Sequence, residues 1–410
     1  MTPVKVSPVK AALFALLILA TPAAAETLSQ EIGATGIAPT LARLKAQPEP
    51  ALEDIFAIGG LHFLGAVERA LQLQWRTGAD QVAGNAGDTL GLPFLRLPVP
   101  PNPAPEPFNG ALITQLFTHI DADMAAARTA LATLPQDEEF GLELTFSDLW
   151  FDVNLNGTRE PEEDALTILG PQLLGWEWQA PDPAAPPLTI RFDTADAAWL
   201  TAYTHVMSGV ANTVLAFDPA TSIDRVIASR TALKVAQPSS DDFNFDASFG
   251  QFLDAFAMLE GAVNQQPDAT RAKAAKDHFL AMIAENRRFW SLVAVEADND
   301  REWVPNDKQT SALGFTLPPG TGDTWLGVLA DGEALLQGRL LLPYWRGTDG
   351  QGINLGRMFD DPAPISITGW LQGWAAVPYL EQGPVITPTS LRQFDGLMGG
   401  NAGLMMVFLN

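Results

Sequence analysis

Apolar residues recur at intervals of three and four along much of the chain, which is the spacing of one face of an α-helix. The clearest stripes are Ile113, Leu116, Phe117, Ile120 and Met124; Tyr203, Val206, Met207, Val210 and Val214; Phe252, Phe256 and Leu259; Phe279, Met282, Ile283, Phe289 and Val293; and Trp325, Val328 and Leu329. We predict roughly eight to ten helices from this periodicity, with Asn109 as the N-cap of the first stripe.

Two shorter runs alternate between apolar and other residues instead, at positions 140–146 and 188–192. A period of two is typical of a half-buried strand, so we predict that these runs pair as a small hairpin-like element. Proline clusters at 98–107 and 181–187 flank this region and indicate extended loops. The predicted fold class is therefore mainly α: a multi-helix globular domain with a small β element.

The first 25 residues have the pattern of a secretory signal peptide. Lys5 and Lys10 give a positive start, residues 11–20 are apolar, and the alanines at 23–25 precede Glu26. The apolar run is shorter than the about 20 residues that a membrane-spanning helix needs. We therefore expect an exported protein, periplasmic or secreted, with one mostly helical domain at 26–410 and a possible inserted subregion at about 138–192.

Composition limits the kinds of partner and the sources of stability. Asp and Glu number 48 against 24 Lys and Arg, which gives a net charge of −24. Such a field repels nucleic acid and anionic lipid. The chain has no cysteine, so disulfides are excluded and stability has to come from the core, with help from a metal ion if one binds. The apolar C-terminus at 403–409 is too short to span a bilayer and is expected to pack into the core.

One twelve-residue segment carries a specific chemical pattern. Residues 152–163 read D-V-N-L-N-G-T-R-E-P-E-E and match D-x-[DN]-x-[DN]-G-x5-E at every specified position. Alternating oxygen-bearing side chains converge on one point, Gly157 allows the sharp turn, and a closing carboxylate can hold an ion with both oxygens. The predicted metal ligands are Asp152, Asn154, Asn156, Thr158 through its carbonyl, Glu160 and Glu163.

This segment resembles the calcium-binding loop of EF-hand proteins, and the resemblance implies one bound calcium ion. It covers only twelve residues and has departures: Arg159 stands where the family has an aliphatic residue, and the entering segment favours a strand. No second matching loop occurs, which is unlike a paired calcium sensor. Pro161 suits the first turn of an exiting helix. Two asparagines at ligand positions suggest weak binding, with a Kd of about 0.1 to 1 mM, and a structural ion.

Other polar groups are candidates for a different site. His119 and Asp123 would share one face of a helix and chelate a metal or form a salt bridge. The carboxylates of residues 296–302 alternate as in a cation site but lack the glycine, so a solvated helix end is the favoured interpretation. The segment 342–352 mixes aromatic residues with Arg346 and glycines and could line a small-ligand pocket.

Two classes of function stay open at this point. The first is a calcium-stabilised exported protein that binds a partner or a small ligand, or serves as a helical scaffold. The second is a metal-dependent hydrolase or other enzyme whose site is assembled from dispersed residues, with His119, His278, Glu296 and Arg346 as candidates. No serine elbow, H-E-x-x-H or Walker A motif favours the second class.

Overall fold

The computed structural model describes residues 27–78, 97–135, 138–174, 186–236, 250–400 and 402–410, so the predicted signal peptide lies outside the described residues. The described part is mainly α. Its helices are α1 (Leu28–Thr35), α2 (Ile37–Lys45), α3 (Leu52–Thr77), α4 (Ala111–Leu131), α5 (Ala165–Leu174), α6 (Thr194–Phe217), α7 (Ala220–Ala236), α8 (Gln251–Val263), α9 (Ala269–Val293), α10 (Thr321–Leu336), α11 (Leu355–Asp360), α12 (Ile367–Gln372), α13 (Thr389–Leu397) and α14 (Ala402–Leu409).

The strands are short and antiparallel. They are β1 (Leu142–Thr145), β2 (Thr189–Phe192), β3 (Leu342–Pro343), β4 (Gln351–Ile353) and β5 (Leu380–Gln382). β1 pairs with β2, so that Leu142 lies opposite Phe192 and Thr145 opposite Thr189. The predicted hairpin-like element is therefore confirmed. A second sheet, in the order β3-β4-β5, was not predicted, because strands of two or three residues leave too little alternation to recognise.

The long helices pack in pairs around α6. This helix lies against α9 and α4, and α4 lies in turn against α3. The face of α6 that carries Ala202, Gly209 and Asn212 is buried, as expected for a small-residue face that allows close approach. A Cβ atom on Gly209 would lie 2.5 Å from the Phe279 ring of α9, which shows how close the two helices are.

Four apolar clusters form the core of the described residues, and the two largest lie in different parts of the chain. One joins α1–α3 to the segment around the predicted calcium loop and includes Phe56, Leu71, Phe151 and Val153. The other joins α9, α10 and α13 to the C-terminus, where Leu409 is 1% exposed. The prediction that the C-terminal residues pack into the core is confirmed. Within the described residues, no helix is both long enough and apolar enough to cross a bilayer.

Two details of the helix predictions are wrong. α4 begins at Ala111 with Gly110 as its N-cap, so Asn109 lies one position too early to cap it. The helix at Gln251–Val263 is present, but the predicted stripe is exposed: Phe252, Phe256 and Leu259 have exposed fractions of 51%, 43% and 45%. The buried face carries Ala255, Met258 and Ala262 instead, because small residues let α8 approach its neighbours closely.

Candidate metal centre

The segment Asp152–Glu163 forms a closed loop whose two ends are joined. Trp150 and Asp164 form an antiparallel bridge, and the Phe151 N–H donates to the Glu163 carbonyl at 2.9 Å. A 3-10 turn at Phe146–Asp148 enters the loop after β1, and a second at Pro161–Glu163 leads into α5. The entering segment is a strand, as predicted, and Pro161 occupies the first turn of the exit.

The interior of the loop contains the turns that the sequence pattern predicts. The Asn154 Oδ1 accepts from the Asn156 N–H at 3.0 Å, and the Asn156 Oδ1 accepts from the Thr158 N–H at 2.7 Å. Gly157 has a φ of +69°, the left-handed conformation that glycine adopts without strain. An amide oxygen has two lone pairs, so each of these oxygens retains one for a cation.

The closing carboxylate lies inside the loop. Glu163 is 0% exposed, and its Oε1 accepts from the N–H groups of Val153 at 2.9 Å and Asn154 at 3.3 Å. Its Oε2 accepts from the Glu160 N–H at 3.1 Å. One side chain thus connects both ends of the loop. Burial raises the pKa of Glu163, although the backbone donors oppose this effect.

Asp152, at the first loop position, has one oxygen in use and one without a partner. Its Oδ2 accepts from the Gly157 N–H at 3.1 Å. Its Oδ1 is buried and makes no hydrogen bond. A buried carboxylate oxygen without a donor is costly unless a cation lies against it. The residues present therefore fit a hard cation with oxygen ligands.

Three of the predicted ligands, Asn154, Asn156 and Glu160, are hydrogen-bonded to one another through their side chains. The Glu160 carboxylate accepts from the side-chain amides of Asn154 at 3.0 Å and Asn156 at 3.1 Å. This arrangement keeps Glu160 at the rim, the position from which an EF-hand residue acts through water. Arg159, the departure from the family pattern, forms an ion pair with Asp164, so it closes the loop from outside.

Helix α3 supplies two further side chains that the sequence could not reveal. The Glu68 Oε1 accepts from the Asp152 N–H at 2.8 Å, and the Gln72 Nε2 donates to the Asp152 carbonyl at 2.9 Å. These residues are four apart and so share one face of α3. The N–H and the carbonyl of Asp152 are thereby both hydrogen-bonded to α3. The hydrogen-bonded residues are 84 and 80 positions apart in the chain.

The electrostatics around Asp152 are unbalanced. Glu68 is 7% exposed, and burial raises its pKa to about 7, with repulsion from Asp152 and Glu163 adding to the rise. Arg69 is the cation that opposes this effect, but its ion pair is with Asp123, at 3.1 Å. Three carboxylates, of Glu68, Asp152 and Glu163, thus share this region, and no basic side chain among the described residues forms an ion pair with any of them.

A second acidic group lies at the start of α6. Asp193, Glu296 and Glu302 place carboxylate oxygens within 4.8 Å of one another, and they are the one such group of three in the described residues. Burial raises the pKa of Glu296 to about 7 and raises the pKa of Glu302, which is 5% exposed. The interpretation of 296–302 as a solvated helix end is therefore wrong for its first and last carboxylates.

The buried Asp196 stands next to this group and has its pKa raised well above the usual value, chiefly by burial. It accepts from the Asp193 N–H at 3.0 Å, while Asp193 caps α6 by accepting from the Ala195 N–H at 2.8 Å. The Glu302 Oε1 accepts from the Asp300 N–H at 2.8 Å. These hydrogen bonds explain the inward direction of the carboxylates as helix capping and turn formation.

The candidates for a dispersed enzyme site lie apart. His278 is within α9 and its Nδ1 lies 2.9 Å from that of His205, while Glu296 follows the end of the helix. The fifteen residues from His278 to the helix end at Val293 span about 22 Å at 1.5 Å per residue. Arg346 donates to the Gln372 carbonyl at 2.9 Å, on another part of the chain.

Three of the four histidines, His62, His205 and His278, have structural partners. His119 is exposed on α4, and Asp123, its predicted metal-binding partner, pairs with Arg69 and lies 4.0 Å from His62. Burial, together with the nearby Arg128, lowers the pKa of His205 to about 4. The imidazole pair is therefore neutral at pH 7, and it joins α6 to α9.

Comparison with known proteins gave no relative: no family model, no curated protein and no solved structure matches this chain.

Proposed function

We propose that this protein is an exported calcium-binding protein whose ion, held at Asp152–Glu163, stabilises the fold. The proposal includes a role in binding a partner or a small ligand through another part of the surface. Export is supported by the leader pattern of residues 1–25, and the calcium site by the twelve-residue match and by the local geometry.

The observation that carries the calcium proposal is the unpartnered Asp152 Oδ1 inside a loop that is already folded. The turns at Asn154 and Asn156 are formed, and Glu163 is held inside by three N–H donors. A cation would need little rearrangement of the backbone to reach these oxygens. Pre-organisation of this kind lowers the cost of binding.

The donor set favours calcium over other ions. The predicted ligands are carboxylate, amide and backbone oxygens, and hard oxygen donors suit calcium or magnesium rather than zinc or copper. Magnesium requires nearly octahedral geometry and keeps several waters, whereas calcium accepts six to eight oxygens with flexible geometry. A loop that surrounds the ion with side chains at alternate positions therefore fits calcium better.

A structural role follows from the surroundings of the loop. Phe151 and Val153 are 1% and 0% exposed and belong to the core that includes α3. Asp152 is bound to Glu68 and Gln72 of that helix. An ion held here therefore stabilises the contact between the loop and α3. Binding to the folded state alone adds about 1.4 kcal/mol at ten times the Kd.

Titration calorimetry of calcium into the purified, EDTA-treated protein tests the proposal. We expect one site with a Kd of about 0.1 to 1 mM. Glu163→Gln should abolish the binding heat, because it removes the charge of the closing carboxylate. Glu162→Gln is the matched control, because its side chain is adjacent but exposed, and it should change the Kd less than twofold. Equal binding by all three proteins, or by none of them, would refute the site.

A further inference from the structure

A group of exposed apolar side chains lies far from the calcium loop in sequence. Trp345, Leu371, Trp374 and Val377 have exposed fractions of 67%, 60%, 62% and 63%. We call these four residues, together with Arg346, the tryptophan patch. Soluble proteins rarely leave several large apolar side chains exposed side by side unless the surface binds something.

Polar contacts show that the two parts of the patch are adjacent. Arg346 lies over the Trp345 ring, with its guanidinium carbon 4.3 Å from the ring centroid, and its Nη1 donates to the Gln372 carbonyl at 2.9 Å. The Trp374 N–H donates to the side-chain oxygen of the same Gln372 at 3.1 Å. The loop between β3 and β4 therefore meets the turn that follows α12, and both tryptophans flank Gln372.

Hydrogen bonds and ring contacts with neighbouring residues support the tryptophan patch. The Tyr344 hydroxyl donates to the Trp370 carbonyl at 2.6 Å, and the Trp370 ring stacks on Tyr379 with centroids 6.2 Å apart. The Trp374 ring lies on Gly369, where an added Cβ atom would be 2.5 Å from it. The Trp374 indole is thus held in place before anything binds, which lowers the entropy cost of binding.

The charge of this surface differs from that of the whole chain. The segment Ser366–Tyr379 contains no Asp, Glu, Lys or Arg, although the chain as a whole has a net charge of −24. Arg346 is the charged member of the patch, and within the described residues it forms no ion pair with a carboxylate. The five residues of the tryptophan patch therefore combine four apolar side chains with one positive group, which lies over Trp345 and beside Gln372.

We propose that the tryptophan patch binds the interface of a zwitterionic lipid bilayer. Tryptophan is enriched at the boundary between headgroups and acyl chains, because its ring is apolar and its N–H is polar. Leu371 and Val377 suit the acyl side of that boundary. Arg346 can lie along the apolar surface with its guanidinium at the phosphates.

The net negative charge of the protein favours a zwitterionic bilayer over a second copy or an anionic membrane. A second copy would bring two strongly acidic chains together, and an anionic membrane would be repelled by the field of the protein. A bilayer with no net charge avoids both kinds of electrostatic repulsion. Its phosphates can accept hydrogen bonds from Arg346. A sugar would favour polar side chains between the indoles, whereas Leu371 and Val377 are aliphatic. This inference does not depend on the calcium proposal.

Quenching of tryptophan fluorescence by vesicles of brominated phosphatidylcholine tests the inference, because bromine quenches only indoles that reach the bilayer. Residues 1–26 contain no tryptophan, so an apolar leader cannot produce the signal by itself. We expect quenching that saturates with lipid and at least a tenfold weaker lipid dependence after Trp345→Ser with Trp374→Ser. Val295→Ser is the control, since this side chain is 78% exposed outside the patch and its loss should change nothing.

A second pair of substitutions, Leu371→Ser with Val377→Ser, keeps both indoles and should weaken the lipid dependence about threefold or more. Unaltered far-ultraviolet circular dichroism establishes that each variant is folded. Absence of quenching in the wild-type protein would overturn the inference, as would quenching that persists unchanged in both double variants. Quenching by phosphatidylglycerol vesicles alone, or a dimer that the double variants abolish, would overturn it in favour of anionic lipid or a second copy.

Discussion

At the scale of single residues, the two ends of the loop illustrate different ways to bury a carboxylate. Glu163 receives three backbone N–H groups, whereas Asp152 has one buried oxygen without any donor. Hydrogen bonds satisfy the first group, but they leave the negative charge of the region uncompensated. What the loop lacks is positive charge rather than geometry, and the divalent cation that we propose would supply it.

One substitution at Glu68 can separate the effect of its charge from the effect of its hydrogen bond to Asp152. Glu68→Gln keeps an oxygen that can accept from the Asp152 N–H but removes a buried charge. We expect the metal-free protein to gain about 1 to 3 kcal/mol in free energy of unfolding, because an ionised buried side chain is costly. Calcium affinity should fall about three- to tenfold, because a nearby negative charge is lost.

Urea unfolding in EDTA and calcium titration of the same variant measure the two effects. The expected effects have opposite signs, because the free energy of unfolding rises while calcium affinity falls. A purely structural role of Glu68 would not produce this combination. Glu162→Gln again serves as the control. A variant that is less stable without metal would contradict the charge imbalance described for Glu68, Asp152 and Glu163.

Glu296 gives a prediction about pH. Its folded-state pKa of about 7 lies above the usual 4.5, so the native state binds more protons than the unfolded state between these values. Stability from this residue is therefore greatest at low pH and is lost as pH rises through 7. Glu296→Gln should raise the free energy of unfolding by about 1 to 2 kcal/mol at pH 8, reduced from the full shift because the group is partly solvated.

About one unit below 4.5, near pH 3.5, the same substitution should have little effect through this charge, since the residue is then largely protonated in both the folded and the unfolded state. Asp298→Asn is the control in the same segment, where the side chain is exposed, and it should change stability by less than about 0.5 kcal/mol. Chemical unfolding in EDTA at the two pH values provides the measurement. A pH-independent effect of Glu296→Gln would show that the raised pKa is wrong.

At the scale of elements, the close contact between α6 and α9 depends on Gly209, which has no side chain. Gly209→Ala would place a methyl group 2.5 Å from the Phe279 ring. Overpacking of this kind costs about 1 to 3 kcal/mol, partly offset by the better helix propensity of alanine. We expect a net loss of about 1 to 2 kcal/mol in urea unfolding.

Gly60 in α3 provides the matched control for this substitution. No atom lies within 4 Å of the position that its Cβ would take, so Gly60→Ala should stabilise the protein by up to about 1 kcal/mol. Equal effects at the two glycines would mean that propensity alone decides and that the helix contact is looser than described.

The elements also show what periodicity can and cannot predict. The stripe of α4 was predicted correctly, and all five of its residues are buried, because an amphipathic surface helix buries its large apolar side chains. In α8 three large residues, Phe252, Phe256 and Leu259, are exposed, whereas Met258 and two alanines are buried, so the identity of the packed face depended on the neighbours. Pairing of 140–146 with 188–192 was predictable because alternation specifies one buried face.

At the scale of the whole molecule, the proposed calcium loop lies where the chain joins distant segments. Its backbone is attached to α3, its entry is β1, and β1 pairs with a strand 44 residues further on at Thr189. The sequence predicted the loop from local spacing alone. Its supporting residues, Glu68 and Gln72, were not predictable, since no local pattern marks a helix side chain that binds a loop 80 residues away.

The acidic group at Asp193, Glu296 and Glu302 was not predictable from the sequence for the same reason. Asp193 stands about a hundred positions before Glu296 and Glu302, and it meets them only because α6 and α9 pack together. Local spacing within 296–302 suggested a solvated segment, since alternating acids without glycine are ordinarily exposed. The tertiary contact determined which of those acids face inward.

A thermal melt in EDTA, followed by one in millimolar calcium, tests the central claim most directly. The claim predicts a higher Tm with calcium, by about 2 °C at ten times the Kd, where the ion adds about 1.4 kcal/mol. The rise should persist in Glu162→Gln, and it should be absent in Glu163→Gln and absent with magnesium. The same Tm with and without calcium in the wild-type protein, or an equal rise in Glu163→Gln, would contradict a structural calcium ion at Asp152–Glu163.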